Sequence, residues 1–145
     1  MGEAAIGDRD LVGAIGRRPA ERRRAIRQTE RDQPLALIDR PEARNAMTWS
    51  MYEELAQICA QISTDPQIRV ATFRGAGGEA FVAGTDIEQF RAFNSGEDGI
   101  AYEKTIDERI GQIERLPMPT VAIVEGWAIG GGLAAVSFVT ALRTG

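Results

Sequence analysis

The sequence predicts an α/β domain built on a largely parallel sheet. Three observations point there. Short apolar runs alternate with amphipathic stretches in the order strand, helix, strand, helix, strand, helix. Two of the runs, residues 68–74 (IRVATFR) and 120–124 (TVAIV), are apolar enough to be covered on both faces. The links between runs are long enough to hold the helices that parallel crossovers need.

Residues 1–34 carry no sustained period. Gly2, Gly7, Gly13, Gly16, Pro19 and Pro34 interrupt them, and Arg17, Arg18, Arg22, Arg23, Arg24 and Arg27 cluster around Pro19. They are expected to form an Arg-rich irregular tail ahead of a domain over 35–145. Residues 35–38 (LALI) read as a strand that ends before Pro41, and 41–47 (PEARNAM) as a polar loop. Met51, Leu55, Ile58, Cys59 and Ile62 then fall on one face of a helix. Ser50 with Glu53 has capping-box spacing and Thr48 competes as the cap; Asp65-Pro66 ends the helix. After the 68–74 strand, Gly75, Gly77 and Gly78 break the pattern. The segment 81–86 (FVAGTD) leads from a strand into a short helical stretch, and 94–99 reads as a loop. A second helix covers 100–116 with Tyr102, Ile106, Ile110 and Ile113 on one face, stopped by Pro117 and Pro119. Residues 125–129 turn the chain from the 120–124 strand into Gly130-Gly131-Gly132, and a third helix is expected over 133–143.

Composition narrows the chemistry. At 145 residues and 43% hydrophobic, the chain can hold one domain with a real core. There is no histidine, so Ser-His and Cys-His catalysis and His-ligated metal sites are excluded within this sequence. Cys59, the single cysteine, sits on the apolar helix face and reads as core; it rules out intrachain disulfides and cysteine-based zinc clusters. The net charge is −4; residues 1–34 hold eight arginines against six acids, so the remainder is acidic. Nucleic-acid binding is therefore not expected of the body, and would have to come from the tail. No apolar run reaches the roughly 18 residues of a membrane span, and Glu3, Asp8 and Asp10 sit where a secretory leader would be apolar. A cytoplasmic protein without a membrane or metal partner is expected.

Two glycine turns stand where chemistry can sit: Ala83-Gly84-Thr85-Asp86 and Gly130-Gly131-Gly132. Each follows a strand and precedes a helical start, where N–H groups lack intrahelical partners. Two such sources facing one point bind an anion or a developing oxyanion. The competing reading is two tight turns with no ligand. Neither turn has dinucleotide or P-loop spacing.

Four segments taken in order, RPEARNAM (40–47), FVAGTDI (81–87), LPMPTVAIVEG (116–126) and WAIGGGL (127–133), resemble the enoyl-CoA hydratase/isomerase, or crotonase, superfamily. The resemblance implies a spiral of ββα units, here the N-terminal part of the spiral core. It implies acyl-CoA binding, with coenzyme A entering as part of the substrate and no separate cofactor, and assembly as homotrimers or hexamers. By position, the backbone N–H groups of Thr85 and Gly131 would form the oxyanion hole. Ala43, Ala46, Ala83, Asp86, Ile87 and Gly130 would bind substrate, although Asp86 also reads as a helix cap. Hydratases of the family place a glutamate two residues after the GGG, where this chain has Ala134. Their second acid/base carboxylate falls beyond the region matched. The expectation is thus a partial domain without its C-terminal part, lacking both proton-transfer carboxylates and inactive alone. It would be either a fragment of an enzyme of this family or a binding module that keeps the oxyanion hole. Glu125, beside the GGG turn, reads as structural.

Overall fold

The computed structural model describes residues 13–15, 35–130 and 140–143. Strands β1 (Gly13–Ile15), β2 (Leu35–Ile38), β3 (Ala71–Gly75), β5 (Thr120–Val124) and β7 (Thr140–Arg143) form one sheet in the order β1-β2-β3-β5-β7. Every pair in it is parallel. Strands β4 (Ala80–Ala83) and β6 (Trp127–Ile129) form a second, two-stranded parallel sheet. Helices α1 (Trp49–Thr64) and α2 (Gly96–Glu114) supply the long crossovers.

The chain thus repeats a unit. β3 enters the large sheet, β4 the small one, and α2 carries the chain back to β5 and β6, which repeat the pair. This is the ββα spiral expected from the resemblance. The register Phe73↔Ala122 stacks the first strands of the two units, and Ala83↔Ile129 stacks the second.

The apolar face read for α1 is the one that is buried: Met51, Leu55, Ile58, Cys59 and Ile62 all pack into the core. Thr48 is its cap. Its Oγ1 accepts from the Met51 N–H at 3.4 Å, and the Met51 Sδ accepts from the Thr48 N–H at 3.5 Å. In α2, Ile106, Ile110 and Ile113 are buried and Tyr102 is half-buried. This helix begins earlier than its apolar period indicates, at Gly96. A capping box starts it: Ser95 Oγ accepts from the Asp98 N–H and Asp98 Oδ2 from the Ser95 N–H.

Several expectations are corrected. Residues 140–143, read as the end of a third helix, are strand β7, paired with Val121–Val124. The open edge of β5 offers a full set of backbone partners, which outweighs the helical preference of Ala141, Leu142 and Arg143. The rest of that expected helix, 131–139, lies outside the described residues. Within the segment read as irregular, Gly13–Ile15 is a strand on the edge of β2, and Ile15 is fully buried. Residues 127–129, read as a turn, pair with β4. The 68–74 strand begins only at Ala71, and in β5 only Ala122 is buried, its neighbours being half-buried.

Candidate functional site

The loop after β2 is shaped by one buried side chain. Arg44 and Asn45 both lie in the left-handed region, at φ 50 and φ 58. Asparagine tolerates that conformation better than most residues. Asn45 is fully buried; its Nδ2 donates to the carbonyls of Ala76 (2.9 Å) and Ala80 (2.8 Å), and its Oδ1 accepts from the Arg40 N–H at 2.9 Å. One amide therefore ties the 40–47 loop to both ends of the β3–β4 link.

The same loop holds the first glycine turn. The Ala83 N–H donates to the Arg44 carbonyl at 3.1 Å, Met47 N–H to the Gly84 carbonyl at 2.8 Å, and Asp86 N–H to the Met47 carbonyl at 2.9 Å. Met47 and Thr85 thus form an isolated parallel bridge. Across a trans peptide, the Thr85 N–H points opposite to the Gly84 carbonyl. Because Met47 holds that carbonyl, the Thr85 N–H is directed away from the 40–47 loop.

Asp86 is committed within the chain. Its Oδ2 accepts from Arg40 Nη1 at 2.7 Å, and its Oδ1 caps the 3-10 turn Ile87–Ala92 by accepting from the Glu88 N–H at 3.0 Å. The Arg40 hydrogen bond, then the Glu88 N–H, hold its carboxyl below the usual carboxylate value. Arg40 also donates to the Ala46 carbonyl at 3.0 Å. Glu125 is likewise occupied: Arg74 grips both of its oxygens at 2.9 Å from the neighbouring strand.

The second turn reaches the first. The β4–β6 pairing ends at Ala83↔Ile129, one residue before Gly84 and Gly130. Both glycines have positive φ, 88 and 57, and a Cβ on Gly130 would stand 3.4 Å from the Gly84 Cα. That distance is ordinary van der Waals contact, so it is the left-handed backbone rather than crowding that favours glycine at both positions. Thr85 is therefore beside the Gly130 turn, while Gly131 and Ala134 lie outside the described residues. Ala43, Ala46 and Ala83 are half-buried, and Ile87 is 75% exposed.

Four residues here escaped the sequence reading in these roles: Arg40, Asn45, Tyr52 and Tyr102. Arg40 and Asn45 stood inside a motif that reads only as a polar loop. The tyrosines meet Thr85: Tyr52 Oη lies 2.9 Å and Tyr102 Oη 2.5 Å from its Oγ1. Burial pushes the Tyr52 phenol above its usual value, opposed by the Thr85 bond, so it stays neutral at physiological pH. Cys59 is buried, and burial pushes its thiol up to about 11. A cavity of about 310 Å³, lined by Cys59, Ala60, Ser63, Gln112, Arg115 and Leu116, opens between the C-terminal halves of α1 and α2 and shares no residue with this site. Among the described residues no cluster of His, Cys, Asp or Glu is placed to hold a metal ion. None of their helices is long and apolar enough to cross a membrane.

Known proteins resemble this chain in sequence and in fold. The sequence profile of enoyl-CoA hydratase/isomerase matches residues 34–140. The mouse protein "enoyl-CoA hydratase domain-containing protein 2, mitochondrial" is 36% identical over 97 residues, 67% of this chain and 32% of that protein. A short-chain-enoyl-CoA hydratase of Clostridium acetobutylicum is 33% identical over 95 residues, 66% of this chain and 36% of that one. The crystal structure of an enoyl-CoA hydratase/carnithine racemase from Magnetospirillum magneticum superposes with a TM-score of 0.70 at 32% identity, covering 77% of this chain and 42% of its own. The chain spans about a third of the length of these two curated relatives.

Proposed function

The chain belongs to the enoyl-CoA hydratase/isomerase family, and from that premise we propose that it binds an acyl-CoA thioester where its two glycine turns meet. In this reading the backbone N–H groups of Thr85 and Gly131 hold the thioester carbonyl oxygen. Donors aimed at that oxygen in advance would stabilise the negative charge that an enolate places on it. Ala43, Ala46, Ala83, Asp86 and Ile87 line the bent coenzyme A channel, and Gly130 also belongs to the substrate site. Coenzyme A arrives as part of the substrate. Assembly as trimers or paired trimers belongs to the same reading.

The observation that carries it is the Ala83↔Ile129 pairing, which sets the Gly84 and Gly130 turns side by side, with the Thr85 N–H turned away from the loop behind it. Main-chain donors need no particular side chain, so threonine at 85 is compatible with the role.

A second reading keeps the binding and drops hydration. Ala134 stands where the resemblance calls for a glutamate. Asp86, in the first turn, and Glu125, ahead of the second, are each held by an arginine. Neither is available as a proton-transfer group, whose loss typically costs 10²–10⁴-fold in rate.

Titration calorimetry of the full chain with crotonyl-CoA and with free coenzyme A tests the binding claim. Crotonyl-CoA is expected to bind about tenfold or more tightly, the worth of roughly one net hydrogen bond to the carbonyl oxygen. Equal affinities, or no binding of either, would overturn it.

A further inference from the structure

Thr85 is held from three sides. Its backbone bridges Met47 in the loop. Its hydroxyl meets Tyr52 of α1 and Tyr102 of α2. A threonine hydroxyl donates one hydrogen bond and accepts two, so it can satisfy both phenols at once. Neither phenol is free to swing. Tyr52 is only 3% exposed. The Tyr102 ring packs edge-on to Trp49, centroids 4.5 Å apart, and to Phe90 at 5.0 Å. The Trp49 N–H in turn donates to Gln89 Oε1 at 3.2 Å, which ties the segment after the turn back to the start of α1.

This matters because of the joint next door. The N–H of Thr85 lies in the peptide plane it shares with Gly84, and Gly84 is at φ 88. Glycine is the residue least able to hold a peptide plane by its own sterics. The Met47 bond fixes one edge of that plane, through the Gly84 carbonyl. The other edge ends at the Thr85 Cα, which the two phenols hold through the side chain. A hydroxyl that merely filled space would need no partner on a second helix, still less on two.

Resting on the acyl-CoA reading, we infer that Tyr52 and Tyr102 are positioning residues: by gripping the Thr85 hydroxyl from α1 and α2 they aim the Thr85 N–H at the thioester oxygen. Neither phenol touches substrate. Their effect is confined to the carbonyl contact and leaves the grip on the coenzyme A moiety alone. No bond is made or broken by them.

The test compares butyryl-CoA with S-butyl-CoA, the thioether that lacks the carbonyl oxygen. The ratio of their affinities isolates the carbonyl contact, and free coenzyme A serves as the control for an intact fold. The full-length wild-type chain should prefer the thioester. Tyr52→Phe, Tyr102→Phe and the double variant should lose about fivefold or more of that preference, with free coenzyme A bound as before. The stretching frequency of a ¹³C-labelled thioester carbonyl, lowered on binding to wild type, should return toward its solution value in the same variants. Thr85→Val, which has the same shape without the hydroxyl, carries the test if the double variant does not fold, and should show the same loss. Phenylalanine variants that keep both the preference and the lowered frequency overturn the inference and leave the acyl-CoA reading standing. A wild-type chain that shows no preference for the thioester overturns the reading on which the inference rests.

Discussion

Arg40 and Asp86, 46 positions apart, are joined by a 2.7 Å ion pair that locks the loop after β2 to the glycine turn after β4. The pair is largely shielded from water, with side-chain exposures of 26% and 14%. It places a fixed carboxylate directly after Thr85 and spends that carboxylate on structure.

Its pH signature follows from linkage. The folded carboxyl is held below its ordinary value of 3.8, chiefly by Arg40. A lowered value means that the unfolded chain takes up protons first as pH falls. The contribution is full above the unfolded value and is lost as pH drops through the folded one. Asp86→Asn should therefore flatten part of the acid limb of a plot of Tm against pH, below about pH 5. Asp98, held low first by the Asn94 N–H, leaves a residual slope. An unchanged acid limb in the variant would show that the pair does not couple to folding.

Asn45→Ala removes the amide that serves the Ala76 and Ala80 carbonyls. It also puts a residue without a polar side chain at φ 58. Leaving buried acceptors unpaired costs roughly 1–3 kcal/mol each, so a loss of about 2–4 kcal/mol in urea unfolding is expected. A loss below about 1 kcal/mol would mean that water takes over both bonds.

Gly126→Ala should be among the most damaging changes of a single methyl. Its φ is +66, and a Cβ there would overlap the Glu79 carbonyl oxygen. Gly99→Ala, in the first turns of α2, meets open space and should be neutral or slightly stabilising. Comparing the two Tm values separates backbone crowding from helix propensity.

Cys59 should resist iodoacetamide at about pH 8 in the native chain and react readily in denaturant. Its thiol is buried and pushed up to about 11, so almost none is thiolate. Rapid native labelling would place it outside the core.

Hydration of crotonyl-CoA by the chain should not exceed a buffer control. Ala134 has no proton to transfer, and Asp86 and Glu125 are held by Arg40 and Arg74. Robust turnover by the pure protein would mean that another group moves the proton.

Much of the fold was legible in the sequence. The buried face of α1 showed as an apolar residue every three or four positions, and the strand partners β3 and β5 showed as short apolar runs. These are local periods, imposed by helix and strand geometry on the chain itself. The glycine turns were visible for a similar reason, since glycine marks positions where other residues are strained. What tertiary structure decided has no local period. Strands β1, β6 and β7 exist because a neighbouring edge offers them backbone partners, and three or four residues are too few to announce it. The start of α2 was set by a cap, Ser95, that precedes its apolar face. At the site, Thr85 was legible as a turn residue, but its two phenol partners lie 33 and 17 positions away, and Arg40 lies 46 from Asp86. A side-chain hydrogen bond between distant segments depends on how helices and sheets pack, and leaves nothing periodic along the chain.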